Sequence, residues 1–145
     1  MLNQQFTSAF VSRPASLDEV VSRSMAGEEF SFLLSEFLDT FYGFIKRGDK
    51  SAALGSIVSE PALGRDDQRN AYIGAVAEYL ARRWGLPDVP QWTDRPSRFL
   101  RRPMYDQASA KSRALYLVES PAAFRRRLIF VESVPLRRAS MPVAS

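Results

Sequence analysis

"EEFSFLLSEFLDTFYGFIKRG", Glu28 to Gly48, is the stretch that decides the fold class. Phe30, Leu33, Leu34, Phe37, Leu38, Phe41, Phe44 and Ile45 recur at the three-and-four spacing that lines one face of an α-helix. Glu28 and Glu29 complement the positive end of such a helix, and Lys46, Arg47 and Gly48 close the other end. The stretch predicts a long core helix. Its phenylalanines are read as packing rather than as a cofactor pocket, because aromatics at this period are buried against neighbouring elements.

A second long helix is expected in "DDQRNAYIGAVAEYLARRWG", residues 66–85, with Ile73, Val76, Ala77, Leu80 and Trp84 as its apolar stripe, packed against the first. Asp66 and Asp67 stand where a helix dipole favours negative charge, so they read as caps and not as metal-binding or acid/base carboxylates. Upstream, Ser16 and Glu19 have the spacing of a capping box for a short helix, and "DKSAALGSIVSEPALG" supplies another short helix and a turn. "GLPDVPQWTDRPSRFLRRP", residues 85–103, contains four prolines and is no regular element. It predicts a connector that wraps the core, pinned by Trp92, with one helical turn in "RPSRFL". A further helix is expected over about Ser109 to Glu119, and then a short one in "PAAFRRR" with Ser120 as N-cap and Pro121 in first position. The expectation is an all-α fold: a compact bundle of two long core helices plus several short helices, a proline-rich wrapping connector and an irregular C-terminal segment. It forms a single helical domain over residues 16–145, behind a flexible N-terminal arm over residues 1–15.

The chain has 145 residues, 46% of them hydrophobic, which suffices for one core without staples. Cysteine and histidine are both absent. Disulfides, thiolate metal sites and cysteine nucleophiles are thereby excluded, and the usual general base and commonest transition-metal ligand are missing. Apolar runs stop well short of the roughly 18 residues a membrane span needs, and the N-terminus lacks a basic start before an apolar core. A cytoplasmic protein with no membrane partner is expected. Phosphate-cradling loops, nucleophile elbows and calcium loops have no match. We therefore expect no enzyme, no catalytic residue, no cofactor and no metal.

Charge is distributed unevenly. Residues 1–94 carry 9 Lys+Arg against 13 Asp+Glu and residues 95–145 carry 11 against 3, so the parts bear −4 and +8. That polarity suits contact with nucleic acid or an acidic protein surface, and equally suits two halves that attract each other. A helix-turn-helix reading of residues 16–38 fails, because the helix that would enter the groove begins with Glu28 and Glu29 and is apolar over half its surface. Contact with a partner falls to the basic half: Arg98, Arg101 and Arg102, then Arg113, then Arg125, Arg126 and Arg127.

The triplet Arg125 to Arg127 spans about 200 degrees on a helix, so its members cannot share a face. Two readings stand side by side. In one, an arginine pairs with a carboxylate of the acidic half while the others cap a helix end; in the other, the three form a docking surface for phosphate or a partner's acids.

"VESPAAFRRRLIFV", residues 118–131, preceded by "EYLARRWGLPDVPQW" and "DRPSRFLRRP", resembles a bacterial helical domain found both alone and after a helix-turn-helix in regulator-like proteins. The resemblance runs from roughly Leu34 to Ala139, and its most specific part is the Ser-Pro-x-x-Phe-Arg-Arg core with the apolar run behind it. That family is often paired with a nucleotidyltransferase-type toxin. The implied role is a non-enzymatic antitoxin that binds and neutralises a cognate toxin through a basic C-terminal surface. The alternative is a nucleic-acid-binding regulatory module that sets the same arginines on the phosphates of DNA or RNA. This chain departs from the pattern in lacking a DNA-binding head.

Overall fold

The computed structural model describes residues 13–106 and 109–143. The arm expected over residues 1–15 lies, as far as residue 12, outside the described residues. Helix α1 spans Leu17–Met25, α2 Phe30–Lys46, α3 Lys50–Val58, α4 Asp67–Arg83, α5 Ala110–Glu119 and α6 Ala122–Arg125. The fold is all-α, with two long helices and several short ones, as the periodicity predicts. None of these helices is long and apolar enough to cross a membrane.

The first four helix starts answer a local donor problem, since the first N–H groups of a helix lack internal acceptors. Ser16 Oγ accepts from Glu19 N at 3.1 Å, the Glu29 carboxylate from Phe32 N at 3.1 Å, and Asp49 from Ala52 N at 3.0 Å. Asp66 Oδ1 accepts from both Gln68 N and Arg69 N. Asp66 is thus a cap, as its position predicts.

The long helices meet through rings. Phe30 and Tyr72 stand edge to face near the starts of α2 and α4, and Tyr42 and Trp84 do so near their ends, with centroids 6.4 and 5.8 Å apart. Start meets start and end meets end, so the two run parallel, and α3 lies in the connection that carries the chain back. Leu33, Phe37, Phe41, Leu80 and Ile57 fill the core between them.

The proline-rich segment wraps as expected, in two single 3-10 turns over Gln91–Asp94 and Pro96–Arg98. Trp92 pins it: the ring is buried, and its Nε1 donates to the Ile57 carbonyl at 3.1 Å. Phe124 of α6 sets its ring against both Tyr72 and Tyr79 of α4, at 5.8 and 5.7 Å. Those two tyrosines are seven residues apart and share a helix face. This clamp fixes where the arginine triplet falls.

Two features depart from the expected elements. Met104–Tyr105 (β1) and Ile129–Phe130 (β2) pair as a short parallel ladder, Met104 opposite Ile129. Ser120 is not an N-cap; α6 begins without a side-chain cap. Its hydroxyl instead lies between the Tyr116 carbonyl at 2.6 Å and the Val131 amide and carbonyl at 2.9 and 3.0 Å. The four-residue α6 offers little to cap, whereas the backbone of Val131 beside β2 needs a partner.

Candidate functional site

Small residues on α4 open the ground on which the arginines lie. Gly74 is covered so closely that a Cβ there would meet Arg98 Cβ at 3.0 Å and Arg127 Nε at 3.2 Å. One turn further, Glu78 is 2% exposed although it is charged. Its Oε1 accepts from Arg127 Nη1 at 2.6 Å and Arg126 Nε at 2.9 Å, and its Oε2 from Arg82 Nε at 2.8 Å. Burial pushes this carboxyl up, but the hydrogen bonds from Arg82, Arg127 and Arg126 outweigh it and hold it below the ordinary value.

Arg127 is wholly buried. Beyond Glu78 it donates to three backbone carbonyls, Ala123 at 2.7 Å, Thr93 at 2.6 Å and Arg98 at 3.1 Å, and its guanidinium lies 4.5 Å from the Phe99 ring centre. Burial pulls its pKa down, and the Glu78 carboxylate opposes that. The side chain is therefore a rivet joining α4, the connector and α6. Arg98 is equally buried and donates to the carbonyls of Asn70 and Pro61 and, at 3.4 Å, to Glu60. Its Nε has no acceptor, and burial again lowers its pKa.

The expected docking surface must be redrawn accordingly. Arg98 and Arg127 are internal, because each spends its donors on buried carbonyls and on carboxylates of the acidic part. Arg126 is divided between uses: 41% of its side chain is exposed while it holds Glu78 and Asp94. Arg125 faces solvent and caps the preceding helix through the Val118 carbonyl at 3.1 Å. The helix expected through the whole triplet stops at Arg125, and the three arginines spread over its end and the turn that follows, Arg125 outward, Arg126 lateral and Arg127 inward. Arg101, Arg102 and Arg113 are exposed, and Arg113 stacks 4.9 Å from the Tyr105 ring centre.

The attraction between halves accounts for much of the charge split. Arg95 and Arg98 hold Glu60, Arg126 and Arg127 hold Glu78, and Arg138 holds Asp39. Arg138 and then Ser140 act on Asp39, whose carboxyl is held below its ordinary range. Arg101, Arg102, Lys111, Arg113 and Arg125 remain, exposed and without an ion pair among the described residues.

A cleft of about 630 Å³ opens between α2, the start of α4 and the C-terminal segment, lined by Phe30, Tyr72, Arg69, Asp66, Asp106 and Glu132 among others. Its volume would admit a small ligand, yet its cations and acids are interspersed. Among the described residues no group of three acids converges as a metal site would require. Sequence reasoning missed Glu78 as the organising carboxylate. The available signal was an acid inside the apolar run "AVAEYLA", which demands a buried cation from elsewhere in the chain.

No protein-family model matches this chain, and neither a curated protein nor a solved structure does.

Proposed function

We propose that the chain is a non-enzymatic interaction protein, an antitoxin-like neutraliser that binds a partner toxin enzyme of nucleotidyltransferase type through the basic surface of its C-terminal half. The observation that supports this reading is the residue of positive charge left after internal pairing: Arg101, Arg102, Lys111, Arg113 and Arg125 all face solvent. An enzyme of that type presents magnesium-binding acids in a cleft, and a basic surface entering it competes with phosphate or RNA substrate. Arg126 stands at the edge of this surface. Arg98 and Arg127 serve it indirectly, by holding the connector that carries Arg101 and Arg102.

The test is co-purification with the product of the neighbouring gene, using wild type and the charge reversal Arg101→Glu, Arg102→Glu, Arg125→Glu, with the fold checked by circular dichroism. Binding weakened at least about tenfold, or 1.4 kcal/mol, is expected; undiminished binding rejects the arginine surface. A random duplex and an RNA hairpin are titrated in parallel. Affinity for either that falls steeply with salt, together with indifference to the neighbouring protein, transfers the same cations to backbone phosphates.

A further inference from the structure

Helix α5 is laid on the molecule inside out. None of its residues is buried; Ser112 and Tyr116, one turn apart, are the half-buried ones, and Ser120 continues their line beneath the helix end. Its apolar side chains point away from the protein: Leu115 is 55% exposed, Leu117 46% and Val118 73%. Single exposed leucines are ordinary, but Leu115 and Val118, three residues apart, share a face with the exposed Ala114 and form one patch, with Leu117 on its flank. Cations rim it. Lys111 and Arg113 stand on the first turn, and Arg125 is tied to the Val118 carbonyl at the last.

We propose that the outward face of α5 docks an amphipathic helix of a partner protein, with apolar side chains packed on Leu115 and Val118 and carboxylates meeting Lys111, Arg113 and Arg125. The inference rests on the interaction-protein reading above and supplies the chemistry of the contact: an apolar centre with an electrostatic rim. Charge complementarity selects this occupant. A second copy placing the same face on α5 would bring three cations and the one acid, Glu119, against the same set, a net positive charge on both sides that is repulsive in a self-complementary contact. Three apolar side chains on a helix of ten residues are too few to hold a lipid surface without a second anchor.

The probe is a fluorescent synthetic peptide with Leu on one helical face and Glu on the other, titrated against the full chain. Two controls accompany it, the same composition scrambled and the same helix with Lys in place of Glu. The proposal expects saturable binding of the Leu/Glu helix, weakened at least about tenfold in Leu115→Ser, Val118→Ser and in Arg113→Glu, Arg125→Glu. The scrambled and lysine peptides should bind at least about tenfold more weakly than the designed helix. Equal binding of the scrambled peptide would overturn it, because charge alone would then suffice. So would self-association abolished by Leu115→Ser, Val118→Ser, binding instead to phosphatidylcholine vesicles containing phosphatidylglycerol, or no binding at all. No toxin enters this assay, so its failure is distinct from failure of the antitoxin reading, which the neighbouring-gene experiment decides.

Discussion

Helices α4 and α5 belong to one chain and differ completely in what they bury. In α4 eleven residues are buried, among them Gly74, four alanines and the charged Glu78; in α5 none is, although it carries two leucines, a valine and a tyrosine. Apolar content does not explain the difference. What decides it is whether a surface exists to receive the helix. The small side chains of α4 admit close neighbours on more than one side, the rings of α2 on one and the connector with α6 on another. Arginine stems cover the bare backbone at Gly74 while their heads find Glu78 and free carbonyls. Around α5 the stripe that meets the protein is made of hydroxyl-bearing side chains. The apolar residues are left to something outside.

The largest effect should come from breaking the buried network. Glu78→Gln leaves Arg127 without a carboxylate in a site closed to water, which costs roughly 3–5 kcal/mol, a large part of a typical domain's 5–15 kcal/mol. Urea unfolding measures it. Because Glu78 titrates below its ordinary 4.5 in the folded protein, its contribution is fully present above that pH and is lost as pH falls through the lower folded value. Asp39 acts with the same sign. Stability of the wild type should therefore decline from about pH 4.5 downward, and Glu78→Gln should flatten that decline without abolishing it, Asp39 remaining. An identical acid slope in both proteins would show that the network does not set it. Replacing both charges by apolar residues should not restore stability here, unlike many buried pairs, because the carbonyls of Ala123, Thr93 and Arg98 would lose their donor.

A smaller effect tests how tightly the arginines cover α4. Gly74→Ala gains up to about 1 kcal/mol of helix propensity, but its Cβ would press on Arg98 and Arg127 at 3.0 and 3.2 Å. Overpacking costs roughly 1–3 kcal/mol, so the variant should be less stable by about 1 kcal/mol. The matched control is Gly55→Ala on α3, where nothing lies within 4 Å of the new carbon and only the propensity gain applies. A higher melting temperature for Gly74→Ala would mean that the guanidinium stems yield freely, and α4 would then be less closely held than its burial implies.

The sequence disclosed those parts of this contrast that repeat or occur at helix ends. Phe30 to Ile45 and Ile73 to Trp84 announce their helices by period, Asp66 its cap by position, and Trp92 its role by being a large ring in a proline-rich segment. The short ladder of β1 and β2 could not be seen, because two residues per strand hold no alternation. For the arginine triplet, sequence limited the geometry without assigning it: three consecutive positions must diverge, but Phe124 has to dock between Tyr72 and Tyr79 before Arg127 becomes the inward one. The expected site therefore kept Arg101, Arg102, Arg113 and Arg125 at the surface and lost Arg98 and Arg127 to the interior. Nothing local distinguishes an arginine bound for a carbonyl from one bound for a partner; only the fold brings Ala123, Thr93 and Arg98 together to accept.

The smallest expected effect bears on α5. Leu115→Ser with Val118→Ser should change the unfolding free energy by no more than about 0.5 kcal/mol, since both side chains already face water and neither packs in the core. The same class of truncation on α4, Leu80→Ala, removes a fully buried side chain and should cost roughly 2–5 kcal/mol. The contrast between two leucines on two helices of one domain is readable in a single set of denaturation curves, with the dependence on urea concentration unchanged if both variants keep the same folded state. Should the α5 pair cost more than about 1.5 kcal/mol, a core contribution of that size would mean that Leu115 or Val118 packs against the protein itself. The face would then be an internal one, and the basic rim around it would have no apolar centre to offer a partner.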